Sequence, residues 1–308
     1  MTDRQKRRAE YRTWKKGYYH LCTDGLPSQL LFYTQAHYVL GMAAIALITL
    51  LFPIKIYAFE LMPNHLHIVL SGDGETCEKV FTFLTRRISR ILARDGYPKL
   101  PKNYDYRLIP IEDRESLKNH IIYLDRNPYE KGISLPTAYR WGSGWLLYND
   151  FLGVIGGKRV KELTKRELNA LTGTRHPLPP DWIVHPSLGI LPTNYIQIDK
   201  LKELFPSAKD YMTALVKDYE AYTRVAESLK EEIQWSDEEV KDLADSTLRN
   251  TYPDQPIKSV SQEQKCKVAV LLAGRYGLSS RQLAKALWVP EKVIAQSLRS
   301  KDYASLLR

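Results

Sequence analysis

Residues 29–54 contain no Asp, Glu, Lys or Arg, and that run limits what the chain can build more than any other feature. An uncharged stretch of this length either crosses a bilayer, which takes about 20 apolar residues, or forms a helix that must be covered on more than one face. Gln29, Gln35, His37 and Thr49 interrupt it, while Gly41 and Pro53 suit either reading. We read it as a buried helix rather than a membrane span, and expect its outer face to pack against a second domain or a second subunit. The 308 residues leave room for a large domain and a smaller one, since domains run roughly 100 to 200 residues. With 44% hydrophobic and 26% charged residues the chain belongs with packed proteins and not with disordered ones.

Strand patterns flank the run. Residues 17–23 are aromatic-rich and end at Asp24, Gly25 and Pro27, and residues 54–60 alternate apolar and polar. Met62-Pro63-Asn64 makes a turn, His65 and His67 open a third strand, and residues 71–74 close it. Residues 78–94 carry Val80, Phe81, Leu84, Ile88 and Leu92 at helical spacing, with Arg86, Arg87, Arg90 and Arg94 on or near the other face. A strand over 106–111 follows, then a helix that opens on the acids of 112–115 and stops by Pro128, because a residue before proline is pushed out of helical geometry. This order is that of a split βαβ: an α+β, ferredoxin-like antiparallel sheet with helices, followed by a mostly helical C-terminal half.

Residues 140–158 are rich in Trp, Gly and Tyr and are expected to wrap back over the sheet, and the prolines of 175–192 mark a connector. Helical periodicity returns over 198–229 and over 236–248, where Ser236 is a cap. Helices over 267–276, 281–287 and 291–299, joined by short turns, read as a helix-turn-helix. The expected division is 1–155, 156–255 and 256–308.

A strand alternates faces with period two, so His65 and His67 project from one side of a sheet, as two ligands of one ion would. Tyr123 and Asn127, four apart on a helix, share a face and can both point at that side. Two imidazoles and an amide oxygen suit Mg²⁺ or Mn²⁺, and the nitrogen–oxygen mixture leaves Zn²⁺ open. A phenol, with a reference pKa of about 10, is a poor nucleophile alone and a workable one beside a metal-bound phosphate. Each residue also has a plainer reading: sheet histidines, a core tyrosine among twenty, a helix-ending asparagine, a solvated arginine face. Tyr129 competes with Tyr123 from beyond the proline. Trp141 is read as packing, and Trp145 and Tyr148 as packing or base stacking. His20, His37, His120, His176 and His185 receive no role, although His120 lies three residues before Tyr123 and could reach the site.

Forty-five Lys plus Arg against thirty-five Asp plus Glu give a formal charge of +10, which fits a polyanionic partner. Cys22, Cys77 and Cys266 lack any short spacing, so neither disulfides nor a cysteine zinc site is expected. Residues 1–16 are basic but precede no apolar core with a cleavage site, so no secretion signal is expected. Together these read as a cytoplasmic, nucleoid-associated protein.

The run Met62-Pro63-Asn64-His65-Leu66-His67, followed by Tyr123-Leu124-Asp125-Arg126-Asn127-Pro128 and by Tyr139-Arg140-Trp141-Gly142-Ser143, resembles the REP-associated tyrosine transposases, relatives of single-tyrosine transposases with a His-hydrophobic-His motif. The resemblance covers roughly residues 17–150. It implies a ferredoxin-like nuclease that cleaves and rejoins single-stranded or hairpin DNA, with Tyr123 as nucleophile and His65 and His67 as metal ligands. Asn127 stands where the mobile-element relatives often place a glutamine that completes the metal site. Arg86, Arg87, Arg90, Arg94, Arg126 and Arg281 are the expected DNA contacts, and a homodimer is left open. Two departures from the family pattern, the apolar run at 29–54 and the long C-terminal half, keep a second reading in play: a DNA-binding or regulatory protein that retains the fold without turnover.

Overall fold

The computed structural model describes residues 2–26, 28–131, 133–148, 156–217, 225–226 and 237–300. It divides into two compact units, Met1–Glu231 and Glu232–Arg308, rather than the three expected segments.

The first unit opens with α1 (Asp3–Tyr11), β1 (Gly17–Thr23), α2 (Gln35–Leu51), β2 (Lys55–Leu61), β3 (Leu66–Gly72), α3 (Gly74–Arg94), β4 (Tyr106–Ile111) and α4 (Arg114–Glu130). The sheet order is β2-β3-β1-β4 with every pair antiparallel, which is the ferredoxin-like order. Local chemistry sets the helix starts: Thr34, Asp73 and Asp113 each accept a hydrogen bond from a first-turn amide, and Glu75 and Glu115 add negative charge at the positive ends of α3 and α4. Gly74 begins α3 because Tyr11 closes over it, and a Cβ there would lie 1.7 Å from the Tyr11 carbonyl oxygen.

The register decides which side chains meet. Leu61 pairs with Leu66 on the face that α2 covers, where the Gly41 backbone of α2 comes close to the Leu61 side chain. His67 pairs with Cys22 on one side and Glu60 on the other, so all three belong to the opposite face. α4 lies on that second face, joined to it through Asn127 and His120.

α4 does not stop before Pro128; the proline sits inside it. Proline removes one helical hydrogen bond, and the last turn still closes through the Lys131 amide on the Asn127 carbonyl at 3.1 Å and a buried Arg126–Glu130 pair. Tyr123 and Asn127 therefore ride on one unbroken helix.

The run at 29–54 forms a buried helix only over Gln35–Leu51, and no described helix is long and apolar enough to cross a membrane. Its outer face is covered from within the same unit. α5 (Lys165–Thr172) and β7 (Gly189–Ile190), the latter in one sheet with β5 (Lys158–Arg159) and β6 (Ile183–His185), form the cover, with the Gly173 backbone against Leu40 and the Gly189 backbone against Val39. Leu178, Val184, Ile190, Leu201, Phe205 and Tyr211 belong to the same hydrophobic core as the sheet, which is why the middle of the chain is not a unit of its own. α6 (Ile198–Leu204) and α7 (Ala208–Lys217) complete this part. The helical reading of 218–224 and 227–229, and the Ser236 cap, fall outside the described residues.

The second unit is helical: α8 (Asp237–Thr251), α9 (Gln262–Tyr276), α10 (Ser280–Leu287) and α11 (Glu291–Arg299). Capping boxes start α9 at Ser261 and α10 at Ser279, and Gly277 ends α9 in a left-handed conformation. Trp288, 82% exposed, turns the chain between α10 and α11 at φ 56°.

Candidate active site

Three elements converge on the face under α4. β3 supplies His67, β1 supplies His20, and α4 supplies His120, Tyr123 and Asn127. Because β1 lies between β3 and β4, His20 and His67 share a face although 47 residues separate them. The His20 Nε2 lies 3.0 Å from His67 Nδ1, and His20 Nδ1 lies 2.9 Å from His120 Nδ1. On the other edge of the His67 ring, Asn127 Nδ2 lies 3.1 Å from Nε2. The Tyr123 ring centre is 5.9 Å from that of His67 and 6.0 Å from that of His20.

His65 falls one residue before β3, in the turn, and not within the strand. Its ring still stands 4.8 Å from that of His67, nearly perpendicular. His65 Nδ1 donates to Asn64 Oδ1 at 2.7 Å, and Asn64 Nδ2 donates to the Leu26 carbonyl at 3.1 Å, which fixes the Asn64 amide.

Burial sets the electrostatics. It drives His67 and His20 well below the usual histidine range, helped by His65 and Lys131 for the first and by His120 and His67 for the second. His120 is pushed down to about 4 by burial. All three rings are thus neutral at pH 7. Beside them, burial pushes Asp125 up to about 7 against the hydrogen bonds it receives from the Tyr211 hydroxyl at 2.7 Å and from Ser143. Glu60, the neighbour of His67 across the β2–β3 ladder, is raised well above the carboxylate range by burial and by Asp125.

The donor set fits a divalent ion. Asn127 Oδ1 is a buried acceptor with no hydrogen-bond partner among the described residues, and the imidazoles of His65 and His67 lie beside it. Among the described residues no group of three or more His, Cys, Asp or Glu is placed to hold an ion.

The expected DNA contacts separate into different kinds. Arg86 and Arg90 are exposed and, with Arg4, Arg8, Arg94 and Lys99, line a groove of about 870 Å³. Arg87 is half-buried and donates to the carbonyls of Thr172 and Gly173, and Arg94 is paired with Asp95. Arg281 is exposed on α10 in the second unit. Arg126, expected as a DNA contact, is buried. It is 2% exposed, gives two hydrogen bonds to Glu130 Oε1 at 3.1 and 2.6 Å and a third to the Leu215 carbonyl at 2.8 Å, and so belongs to the packing of α4 on α7. Trp141 and Trp145 are buried, and Trp141 stacks on Tyr38.

His20 carried no signal of its own in the sequence. Its position becomes informative only once the strand order puts β1 beside β3.

No protein-family model matches the sequence, and no curated protein matches it. Among solved structures the chain is similar to a REP-associated tyrosine transposase bound to a REP hairpin, over 43% of this chain and 79% of that one, at 16% identity and a TM-score of 0.36. At that identity and score, no residue role passes from one chain to the other.

Proposed function

We propose that this chain is a DNA endonuclease and strand transferase acting through Tyr123. His65, His67 and Asn127 would hold Mg²⁺ or Mn²⁺, which would supply positive charge to the non-bridging oxygens of a phosphodiester. Tyr123 Oη attacks phosphorus and loses its proton; the bond to the 3′ oxygen breaks and that oxygen takes up a proton. The products are a 5′-phosphotyrosine and a free 3′ hydroxyl. Attack of a 3′ hydroxyl on the phosphotyrosine reverses the step and joins strands.

The observation that carries this reading is the meeting of Asn127 with His67 at 3.1 Å while the Tyr123 ring stands 5.9 Å from the same imidazole. The exposed Arg86 and Arg90 support single-stranded or hairpin DNA as the substrate, since a cationic groove follows a phosphate backbone. The test is incubation with labelled single-stranded DNA and Mn²⁺, scored on a denaturing gel. Wild type should form a covalent adduct and Tyr123→Phe should bind DNA without forming one; an adduct that persists in Tyr123→Phe removes the tyrosine from its role.

Binding without turnover is the second reading, and one observation favours it. Tyr123 is 1% exposed and His67 and Asn127 are 0% exposed, so a phosphodiester reaches the hydroxyl only if the cover moves. Tight DNA binding with no adduct on any strand or hairpin would establish it.

A further inference from the structure

We propose that His20, backed by His120, is a positioning residue that decides which nitrogen of His67 carries the proton, and so keeps the Nε2 lone pair of His67 turned toward Asn127 and Tyr123. For its purpose this rests on the reading of His67 as a ligand. The proton position itself does not depend on that reading.

An amide nitrogen has no lone pair to offer, so Asn127 Nδ2 at 3.1 Å must donate and His67 Nε2 must accept. A neutral imidazole has one N–H, which for His67 is then on Nδ1. At 3.0 Å that N–H donates to His20 Nε2, which leaves the His20 proton on Nδ1. At 2.9 Å the latter donates to His120 Nδ1, and the His120 proton is on Nε2. Every bond in the chain Asn127, His67, His20, His120 runs in one direction. The opposite wiring, with His67 protonated at Nε2, would require the Asn127 amide to turn over and present Oδ1 in place of Nδ2.

Each of the three rings accepts a hydrogen bond at one nitrogen and so holds a single N–H, and tautomer and not charge is what the network controls. The turn holds the far side of His65 in the same manner, with its Nδ1–H donated to Asn64. Both histidines of the motif therefore present Nε2, each held by a partner on the far side of its ring. This is how outer groups orient metal-bound imidazoles, and loss of such a partner costs roughly 10–100-fold in metal affinity.

The experiment compares wild type with His20→Gln and His20→Phe. Glutamine can accept from His67 with Oε1 and donate to His120 with Nε2, preserving the direction of the chain, whereas phenylalanine keeps a flat ring and offers neither. Two measurements are made: long-range ¹H–¹⁵N spectra of histidine-labelled, metal-free protein, with His67 assigned by comparison with His67→Gln, and Mn²⁺ affinity by electron paramagnetic resonance. Wild type should show His67 protonated at Nδ1 and bare at Nε2. His20→Gln should keep that signature and an affinity near wild type, while His20→Phe should lose the signature and about 10–100-fold in Mn²⁺ affinity. A wild-type His67 protonated at Nε2 overturns the proposal, and that measurement needs no variant to fold. An unchanged spectrum and affinity in a folded His20→Phe also overturns it. If wild type binds no Mn²⁺, the ligand reading of His67 fails, and the metal-free spectrum still decides the role of His20.

Discussion

Replacing Arg126 with methionine tests whether this side chain is an interior strut or a DNA contact. Its guanidinium and the Glu130 carboxylate have side-chain exposures of 2% and 1%, and the contact between them is 2.6 Å. Removing one member of a buried ion pair typically costs about 3–5 kcal/mol, because the other charge stays desolvated without its counter-charge. The Leu215 carbonyl also loses its donor, and an unsatisfied buried acceptor adds about 1–3 kcal/mol. Arg126→Met should therefore lower the stability of the first unit by about 4 kcal/mol or more. Arg126→Met/Glu130→Met should recover much of that loss, since apolar groups of similar volume often replace a buried pair at little net cost. The assay is urea unfolding followed by tryptophan fluorescence, with the double-mutant cycle giving a coupling of at least about 2 kcal/mol. A single-variant loss under about 1 kcal/mol, the range of exposed ion pairs, would refute the buried strut. If DNA affinity then fell in a salt-dependent way, Arg126 would be returned to the surface.

Asp125 gives a pH dependence. Its folded pKa of about 7 lies above the ordinary 3.8, so between those values the folded state holds a proton that the unfolded state has lost, and stability falls as pH rises through that window. Asp125→Asn keeps an oxygen for the Tyr211 hydroxyl and removes the charge; it should gain up to about 4 kcal/mol over wild type at pH 8 and nothing at pH 4 in urea unfolding. A gain of equal size at both pH values would assign the effect to packing. On the surface, Arg86→Gln/Arg90→Gln should lower the slope of log affinity against log salt for single-stranded DNA by about 1.4, at about 0.7 per lost phosphate contact. An unchanged slope would move the DNA path away from that groove.

Local composition and turn signals were enough to read the strands over 17–23 and 106–111, which the structure reproduces residue for residue. The helix over 291–299 is equally local, bounded by Pro290 and Ser300. The end of α4 was misread, because the rule that proline stops a helix weighs one lost hydrogen bond and cannot weigh the buried Arg126–Glu130 pair across the last turn. The same pair explains the misreading of Arg126. An arginine in a basic chain is expected in solvent, and nothing within Tyr123-Leu124-Asp125-Arg126-Asn127-Pro128 announces that α7 will cover it.

What the sequence determined by itself was the element order from β1 to α4 and the two spacings on which the candidate site depends, His65 with His67 and Tyr123 with Asn127. Both are short-range; on the α4 helix backbone geometry alone puts Tyr123 and Asn127 on one face, whereas His65 stands in the turn and is held beside His67 by Asn64. Tertiary structure decided that His20 and His120 stand behind His67, that the apolar helix is covered by the middle of its own chain, and that Tyr123 is closed away. Those outcomes depend on strand order and on which surfaces must be buried together, and these relations join residues far apart in the chain.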